Sequence, residues 1–301
     1  MKTHSHVRRS LPAILVLALL SLTLTANVNF AEESCPAGTN EVFKGPVGLA
    51  LYSLRATISE DFDEALALAQ SYGVRYVELY DLAPANLSSA ELLAKLQEYG
   101  LTAVAAYFDY GEIRDNPESV AVRAKELGVL YAGISWLPHD GALTEEAVRE
   151  AAEVFNHAGE VLANEGITFY FHNHGYEFQP YEDRTLFHLM VELSDPRYVA
   201  FEMDVLWVVF PGQDPAALLR KYPGRFPILH LKDLRKGVEG NLSGGTASEN
   251  RVVLGQGQID YPELLRAAQE TGVQYYLIED ETTDPLKSIP ESLEYLESVR
   301  W

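Results

Sequence analysis

Short apolar runs alternate with stretches of helical periodicity from about residue 46 to the C-terminus. Residues 47–53 are almost wholly apolar and predict a buried strand. Residues 63–72 then repeat Ala and Leu at helical spacing, and Gly73 supplies a stop. The same unit recurs along the chain. Further strands are predicted over 76–80, 101–108, 129–137, 167–171, 199–205, 226–231 and 275–278. Helices are predicted over 90–99, 117–127, 144–165, 185–193, from Asp214-Pro215, over 261–271 and over 285–300. Start and stop residues agree with this division: Ser88 or Ser89 and Thr144 are placed to cap, Pro215 suits a first helical turn, and Gly100, Gly128, Gly166 and Gly272 follow helix ends.

Uninterrupted strand–helix alternation implies parallel strands covered by helices. Eight such units over residues 46–301 predict a single-domain α/β fold, a (β/α)8 TIM barrel. An open doubly wound sheet is the competing architecture. It usually has fewer units, and no Gly-x-Gly-x-x-Gly follows the first strand. The polar, Gly- and Ser-rich stretch after the seventh strand predicts a longer loop over 233–250, either a lid over the barrel mouth or a plain solvent loop.

The N-terminus breaks the pattern. Lys2, Arg8 and Arg9 precede an uncharged apolar run over 11–26, short for a membrane span but suited to a secretory leader. We therefore expect a cleavable signal peptide over 1–31, a flexible segment over 32–45 and the barrel over 46–301. The mature protein is then periplasmic or extracellular, with no stable membrane association after processing. The composition adds one exclusion. Against 44 Asp and Glu stand 23 Lys and Arg, and a net charge of -21 opposes any nucleic-acid partner. The lone Cys35 cannot form an internal disulfide.

In a barrel of this kind the active site lies where the strand C-termini converge. Three late strands end in acceptors: Phe201-Glu202-Met203-Asp204, Ile228-Leu229-His230-Leu231-Lys232-Asp233 and Tyr275-Tyr276-Leu277-Ile278-Glu279-Asp280. Asp204, His230 and Glu279 make a candidate site for one divalent metal ion. These hard or borderline ligands suit Mn2+, Mg2+, Co2+ or Zn2+. Residues two apart on a strand share a face, which pairs Glu202 with Asp204, His230 with Lys232, and His172 with His174. One of the latter two histidines would ligate while the other contacts substrate. Glu177 is a further ligand or base. Tyr52, Arg55, Glu78, Trp136 and Trp207 also fall near strand ends, where aromatic rings either stack on sugar faces or simply pack.

Several stretches carry a family likeness: Gly48-Leu-Ala-Leu-Tyr-Ser-Leu-Arg55, Val77-Glu-Leu-Tyr-Asp81, Phe171-His-Asn-His-Gly-Tyr-Glu-Phe178, Leu229-His-Leu-Lys-Asp233 and Leu254-Gly-Gln-Gly-Gln-Ile-Asp260. From Gly48 to Arg300 the chain resembles the sugar phosphate isomerase/epimerase family with the xylose isomerase-like TIM barrel. The resemblance implies that Asp204, His230 and Glu279 occupy metal-ligand positions and Lys232 a substrate-contacting one. His172 stands where the family usually has a fourth, Glu ligand, and Trp207 where it often has His. In the family's epimerases two metal-bound carboxylates trade the substrate proton, so His172 disfavours that two-base exchange here. The resemblance implies a divalent-metal-dependent sugar isomerase or epimerase-type enzyme working through an enediolate. Glu279 or Glu177 would be the base, His172 or His174 a proton shuttle, and Lys232 a neutralising cation. Export and the lack of a P-loop or Arg cluster favour a non-phosphorylated sugar or keto-sugar. A keto-sugar lyase or hydratase and a non-catalytic carbohydrate-binding barrel are the alternatives. The expected partner is a small carbohydrate, and a homo-oligomer is left open.

Overall fold

The computed structural model describes Met1, residues 36–80 and residues 87–301. Eight parallel strands close into a barrel: β1 (Val47–Ala50), β2 (Tyr76–Leu79), β3 (Thr102–Tyr107), β4 (Tyr131–Ile134), β5 (Thr168–His172), β6 (Val199–Asp204), β7 (Ile228–Leu231) and β8 (Tyr275–Ile278). Each strand pairs with its sequence neighbours, and β1 closes the ring against β8. The strands are buried on both faces, which is why they read as continuous apolar runs.

Helices cover the outside, and local chemistry sets their ends. Ser88 and Glu91 form a reciprocal capping box, the Thr144 side chain accepts from the Ala147 N–H, and Asp214 accepts from Ala217 ahead of Pro215–Lys221. Small residues make room inside the ring. A Cβ on Gly133 of β4 would stand 1.7 Å from the Tyr170 carbonyl oxygen of β5, so only glycine admits that approach.

Register brings the site together. Across β5 and β6, His172 is the Cα partner of Glu202; across β6 and β7, Asp204 is the partner of His230. Four functional side chains thus arise from two adjacent ladder positions.

Several local expectations change. The fourth strand stops at Ile134 rather than 137, because the Leu137 N–H donates to the Tyr176 hydroxyl at 2.9 Å instead of continuing a ladder. Short helices appear at Arg55–Glu60 and Tyr110–Asp115, the latter capped by Asp109. The sixth strand ends at Asp204, which caps the helix Val205–Val209. Residues 36–45, expected to be flexible, are irregular but anchored: Phe43 is fully buried, and Asn40 Nδ2 donates to the carbonyls of Leu296 and Val299 at 2.7 and 3.1 Å. The expected signal peptide and Cys35 lie outside the described residues, as does the loop 81–86. Among the described residues no helix is long and apolar enough to cross a membrane.

Candidate metal centre

At the C-terminal end of the barrel, one ligand atom each from His172, Asp204, His230 and Glu279 lies within 4.8 Å of the others. All four residues are buried. The two oxygens of Asp204 have separate tasks. Oδ1 accepts from the N–H groups of Leu206 and Trp207 at 3.0 and 3.2 Å, capping the following helix. Oδ2 points into the cluster, paired with Lys232 Nζ at 2.9 Å and 3.7 Å from His172 Nε2. His230 Nδ1 pairs with Glu279 Oε2 at 2.5 Å.

The far side of each imidazole is held by a second carboxylate. His172 Nδ1 lies 2.9 Å from Glu202 Oε2 and 3.0 Å from the Tyr107 hydroxyl. His230 Nε2 lies 2.6 Å from Glu78 Oε2 and 3.0 Å from Glu202 Oε1. Tyr107 and Tyr170 in turn donate to Glu202 and Glu78. Carboxylate–imidazole pairs of this kind fix ring orientation and raise ligand basicity at metal sites.

The donor set fits a divalent ion. Five carboxylates gather here: Glu78 and Glu202 against the imidazoles of His230 and His172, and Asp204, Glu279 and Glu281 against two permanent cations, Lys232 and Arg251. That leaves a buried excess of negative charge, which a protein avoids unless a cation or protons compensate it. Protonation follows the same imbalance. Burial would lower His230, but Glu202, Glu78 and Glu279 carry it well above the usual histidine range. Burial, with Glu78 beside it, pushes Glu202 up to about 8, and burial raises Asp204 against the pull of Lys232. Burial favours protonating Glu279, yet Lys232 and His230 hold it well below the ordinary carboxylate range. Burial, reinforced by His174 and His230, holds His172 well below its usual value and thus neutral, as a ligand must be. Metal binding at this cluster would replace protons.

Lys232 joins this floor to the rim. Its ammonium lies 2.9 Å from Asp204 Oδ2, 3.0 Å from Glu279 Oε2 and 2.8 Å from Glu281 Oε2. Burial alone would lower its pKa; the three carboxylates raise it well above the lysine range. Above the floor opens a cavity of 310 Å³. His172, His174, His230, Lys232 and Glu279 line it, with Tyr52, Trp136 and Trp207 among the aromatic residues of its wall. Burial, then Lys232, brings His174 down to about 3, so its imidazole is neutral. Gly244, near the tip of the 235–250 loop, also lines the cavity, and a Cβ there would meet the Tyr176 ring at 2.9 Å. The loop therefore reaches over the mouth.

Three expected site residues lie elsewhere. Arg55 is outside the cavity lining; it opens a helix and folds back, donating to the Tyr52 carbonyl at 3.0 Å with its guanidinium 4.4 Å above the Tyr52 ring. Glu78 is beneath the floor, tied to His230 and Tyr170, and acts as a support and not a substrate contact. Glu177 is sealed in the turn Tyr176–Phe178, where its carboxylate accepts from the N–H groups of His174 and Gly175 at 2.9 and 2.7 Å. Burial pushes it up to about 7, against those donors. It shapes the loop that presents His174 and has no access to substrate. Conversely, Glu281 and Arg251 line the cavity without having been anticipated. Glu281 lies two residues beyond Glu279, so the alternation that paired Glu202 with Asp204 could have found it; Arg251, at the end of an irregular loop, carries no such pattern.

The Leu229–Asp233 and Leu254–Asp260 stretches also prove to be one device. Asp233 accepts from the N–H groups of Leu234, Gly255, Gly257 and Ile259, folding the later turn against β7. A Cβ on Gly257 would stand 2.1 Å from Asp233 Oδ1, which makes glycine obligatory there.

A sequence profile of the xylose isomerase-like TIM barrel matches residues 66–299. The chain belongs to that family. Among curated relatives, an inosose dehydratase of Clostridium tetani is 28% identical over 165 residues, covering 52% of this chain and 54% of the relative. One from Bacillus anthracis is 28% identical over 155 residues, covering 49% and 51%. The chain thus spans about half the length of these relatives. Among solved structures, a sugar phosphate isomerase/epimerase from Parabacteroides distasonis superposes with a TM-score of 0.72 at 22% identity, covering 85% of this chain and 96% of that one. The IolI protein, solved with a bound zinc atom, superposes with a TM-score of 0.63 at 17% identity, covering 84% and 95%. At these identities the structural likeness is one of fold.

Proposed function

We propose that this barrel is a divalent-metal-dependent enzyme that takes the proton α to the carbonyl of a small non-phosphorylated keto-sugar and completes the reaction by loss of water. The observation that carries the reading is the pairing of His172 with Glu202 at the end of β5. An imidazole fixed between a carboxylate and the ion cannot serve as a second carboxylate base, so the floor is built for one-base chemistry and not for symmetrical proton exchange. The inosose dehydratases matched over part of this chain lend weight to water loss.

His172, Asp204, His230 and Glu279 would hold the ion, which supplies Lewis acidity at the carbonyl oxygen and makes the α C–H acidic enough for a carboxylate. Glu279 takes the α-proton, and the C–H electron pair forms an enolate C=C as the carbonyl π pair moves to oxygen. When the carbonyl re-forms, the enolate C=C pair becomes the Cα=Cβ bond while the bond from the β-carbon to its hydroxyl breaks. The Lys232 ammonium, 3.0 Å from Glu279, offsets the charge that develops on the carbonyl oxygen. Neutral His174 orients the β-hydroxyl and relays the proton from Glu279 to it, so that it departs as water. Trp207, from the wall, bounds the space for the sugar. The two Lys and Arg side chains of the described lining, Lys232 and Arg251, both already pair with Glu281, which disfavours a phosphate. An isomerase shares the first step and differs only in returning the proton to a neighbouring carbon; the motif resemblance favours it as the second reading.

The test is proton NMR in D2O with metal-loaded protein and a panel of keto-sugars and inososes. Exchange of the α C–H followed by an unsaturated product is expected. Exchange with a new keto or aldo sugar selects the isomerase, and no exchange with any member sinks the proposal. The exported location expected from the N-terminal run belongs to the same reading, and fractionation with N-terminal sequencing of the mature chain checks it.

A further inference from the structure

The cavity changes character from floor to rim. Its foot is charged and buried: His230, Lys232 and Glu279 are each less than one-tenth exposed. At its rim Trp136 is 43% exposed, an unusual presentation for so large an apolar ring within a cavity wall. Trp136 is nonetheless held firmly. Its ring stacks on His139 at 5.3 Å and 23°, and meets the edges of Tyr176 at 4.6 Å and His174 at 5.2 Å. The Leu137 N–H bond to the Tyr176 hydroxyl pins the loop that carries it. From floor to rim the rings follow as a ladder: His230 to His172 at 4.8 Å, His172 to His174 at 4.6 Å, His174 to Trp136 at 5.2 Å. Around the barrel, three and two strand positions away, Tyr52 and Tyr80 form an edge-to-face pair at 4.7 Å and line the same cavity.

A sugar whose carbonyl is held between Lys232 and Glu279 sits at the foot of this ladder. Its hydroxyls meet polar groups there, and it does not need an aromatic face at the top. We propose that Trp136 is the platform of a second subsite, which stacks on a ring joined to the sugar at the floor, and that the substrate class is accordingly a glycoside with a ring-shaped aglycone, a second sugar or an aryl group. The inference rests on the keto-sugar reading for the occupant of the floor. The rim itself is argued from rigid exposure: a pre-ordered aromatic ring costs little further ordering when it binds, and stacked rings contribute beyond their buried area.

The test is calorimetric titration of full-length, Mn2+-loaded protein with phenyl against methyl β-D-glucopyranoside, each oxidised to a ring ketone, and with the matching pair of keto-galactosides. Wild type is expected to bind the phenyl member of at least one pair about tenfold tighter, or about 1.4 kcal/mol. Trp136→Ala should bring that ratio to about one and leave methyl glycoside affinity unchanged, with a lower melting temperature from the lost contacts to His139, Tyr176 and His174 but a folded protein by circular dichroism. Trp136→Phe should retain part of the preference. Equal binding of both members by wild type, or a preference that survives in Trp136→Ala, overturns the subsite while the floor reading stands. Failure of wild type to bind any of the four overturns the subsite, and the floor reading falls with it only if α C–H exchange is also absent.

Discussion

Glu202 Oε2 lies 2.9 Å from His172 Nδ1, and that contact decides which nitrogen of the imidazole is left to face Asp204. Glu202 also reaches His230 with its other oxygen, at 3.0 Å. One carboxylate therefore orients two candidate ligands. Glu202→Gln keeps the size and one acceptor but loses the charge that makes both rings better ligands. Metal affinity should fall about 10- to 100-fold, the range typical of such supporting groups, with the fold intact by circular dichroism. Competition titration against a zinc chelator measures it, and an unchanged dissociation constant would remove Glu202 from this role.

Asp204→Asn separates folding from ligation. The amide oxygen can still cap the helix Val205–Val209 as Oδ1 does, so the protein should fold. The second position loses its negative charge, and metal and activity should disappear together. A linked observation comes from chelation. A ligand that binds only the native state stabilises it by about 2.7 kcal/mol at a hundred times its dissociation constant. EDTA should accordingly lower the melting temperature of wild type and leave that of Asp204→Asn unmoved. Full turnover by the variant, or an equal EDTA response in both proteins, would dismiss Asp204 as a ligand.

How much of this was legible beforehand follows from what periodicity can encode. Strand and helix alternation is a local pattern, and the barrel follows from it. The i, i+2 rule put Glu202 with Asp204 and His230 with Lys232 on shared faces, and the structure has them so. That rule says nothing of depth along the barrel axis. Glu78 shares the strand-end position of the ligands but lies one layer down, under His230, so its expected contact with substrate became a contact with a ligand. Glu177 failed for another reason: a carboxylate two or three residues past a histidine can turn back to accept local N–H groups, and here it does. Arg55 folded onto Tyr52 because a helix starts at that residue, which the strand pattern did not announce. Arg251 reaches the site through an 18-residue excursion whose path no local pattern sets.

The structural role of Glu177 has its own test. Glu177→Ala leaves the N–H groups of His174 and Gly175 without their acceptor in a buried turn. An unsatisfied buried donor costs about 1–3 kcal/mol, and a domain of this size should melt roughly 2–4 °C lower per kcal/mol. Metal content should stay near wild type, because Glu177 touches no ligand. Glu177→Gln, which keeps an acceptor, should recover most of the stability and most of the turnover. Recovery of stability without turnover would restore Glu177 to the list of bases.

Glu281 is where the site and its covering loop meet. Its Oε2 lies 2.8 Å from Lys232 Nζ on one side and 3.2 Å from Arg251 Nη2 on the other. Arg251 closes the loop that brings Gly244 over the mouth, and its guanidinium lies 5.8 Å above the Trp207 ring. These side chains are only 3% to 12% exposed, so solvent screens their attraction far less than it does a surface pair. Glu281→Gln removes the charge the two cations share. Lys232 still has Asp204 and Glu279, so the floor should hold its metal with little change. Arg251 keeps the Thr246 carbonyl, at 3.1 Å, and the face of the Trp207 ring, but loses its anionic partner. Hydrogen exchange over 236–250 should accelerate, and KM should rise about tenfold, the loss of about 1.4 kcal/mol that a charge-assisted contact supplies. A variant whose loop exchanges as slowly as wild type, with KM unmoved, would show that the loop keeps its place over the mouth without this contact.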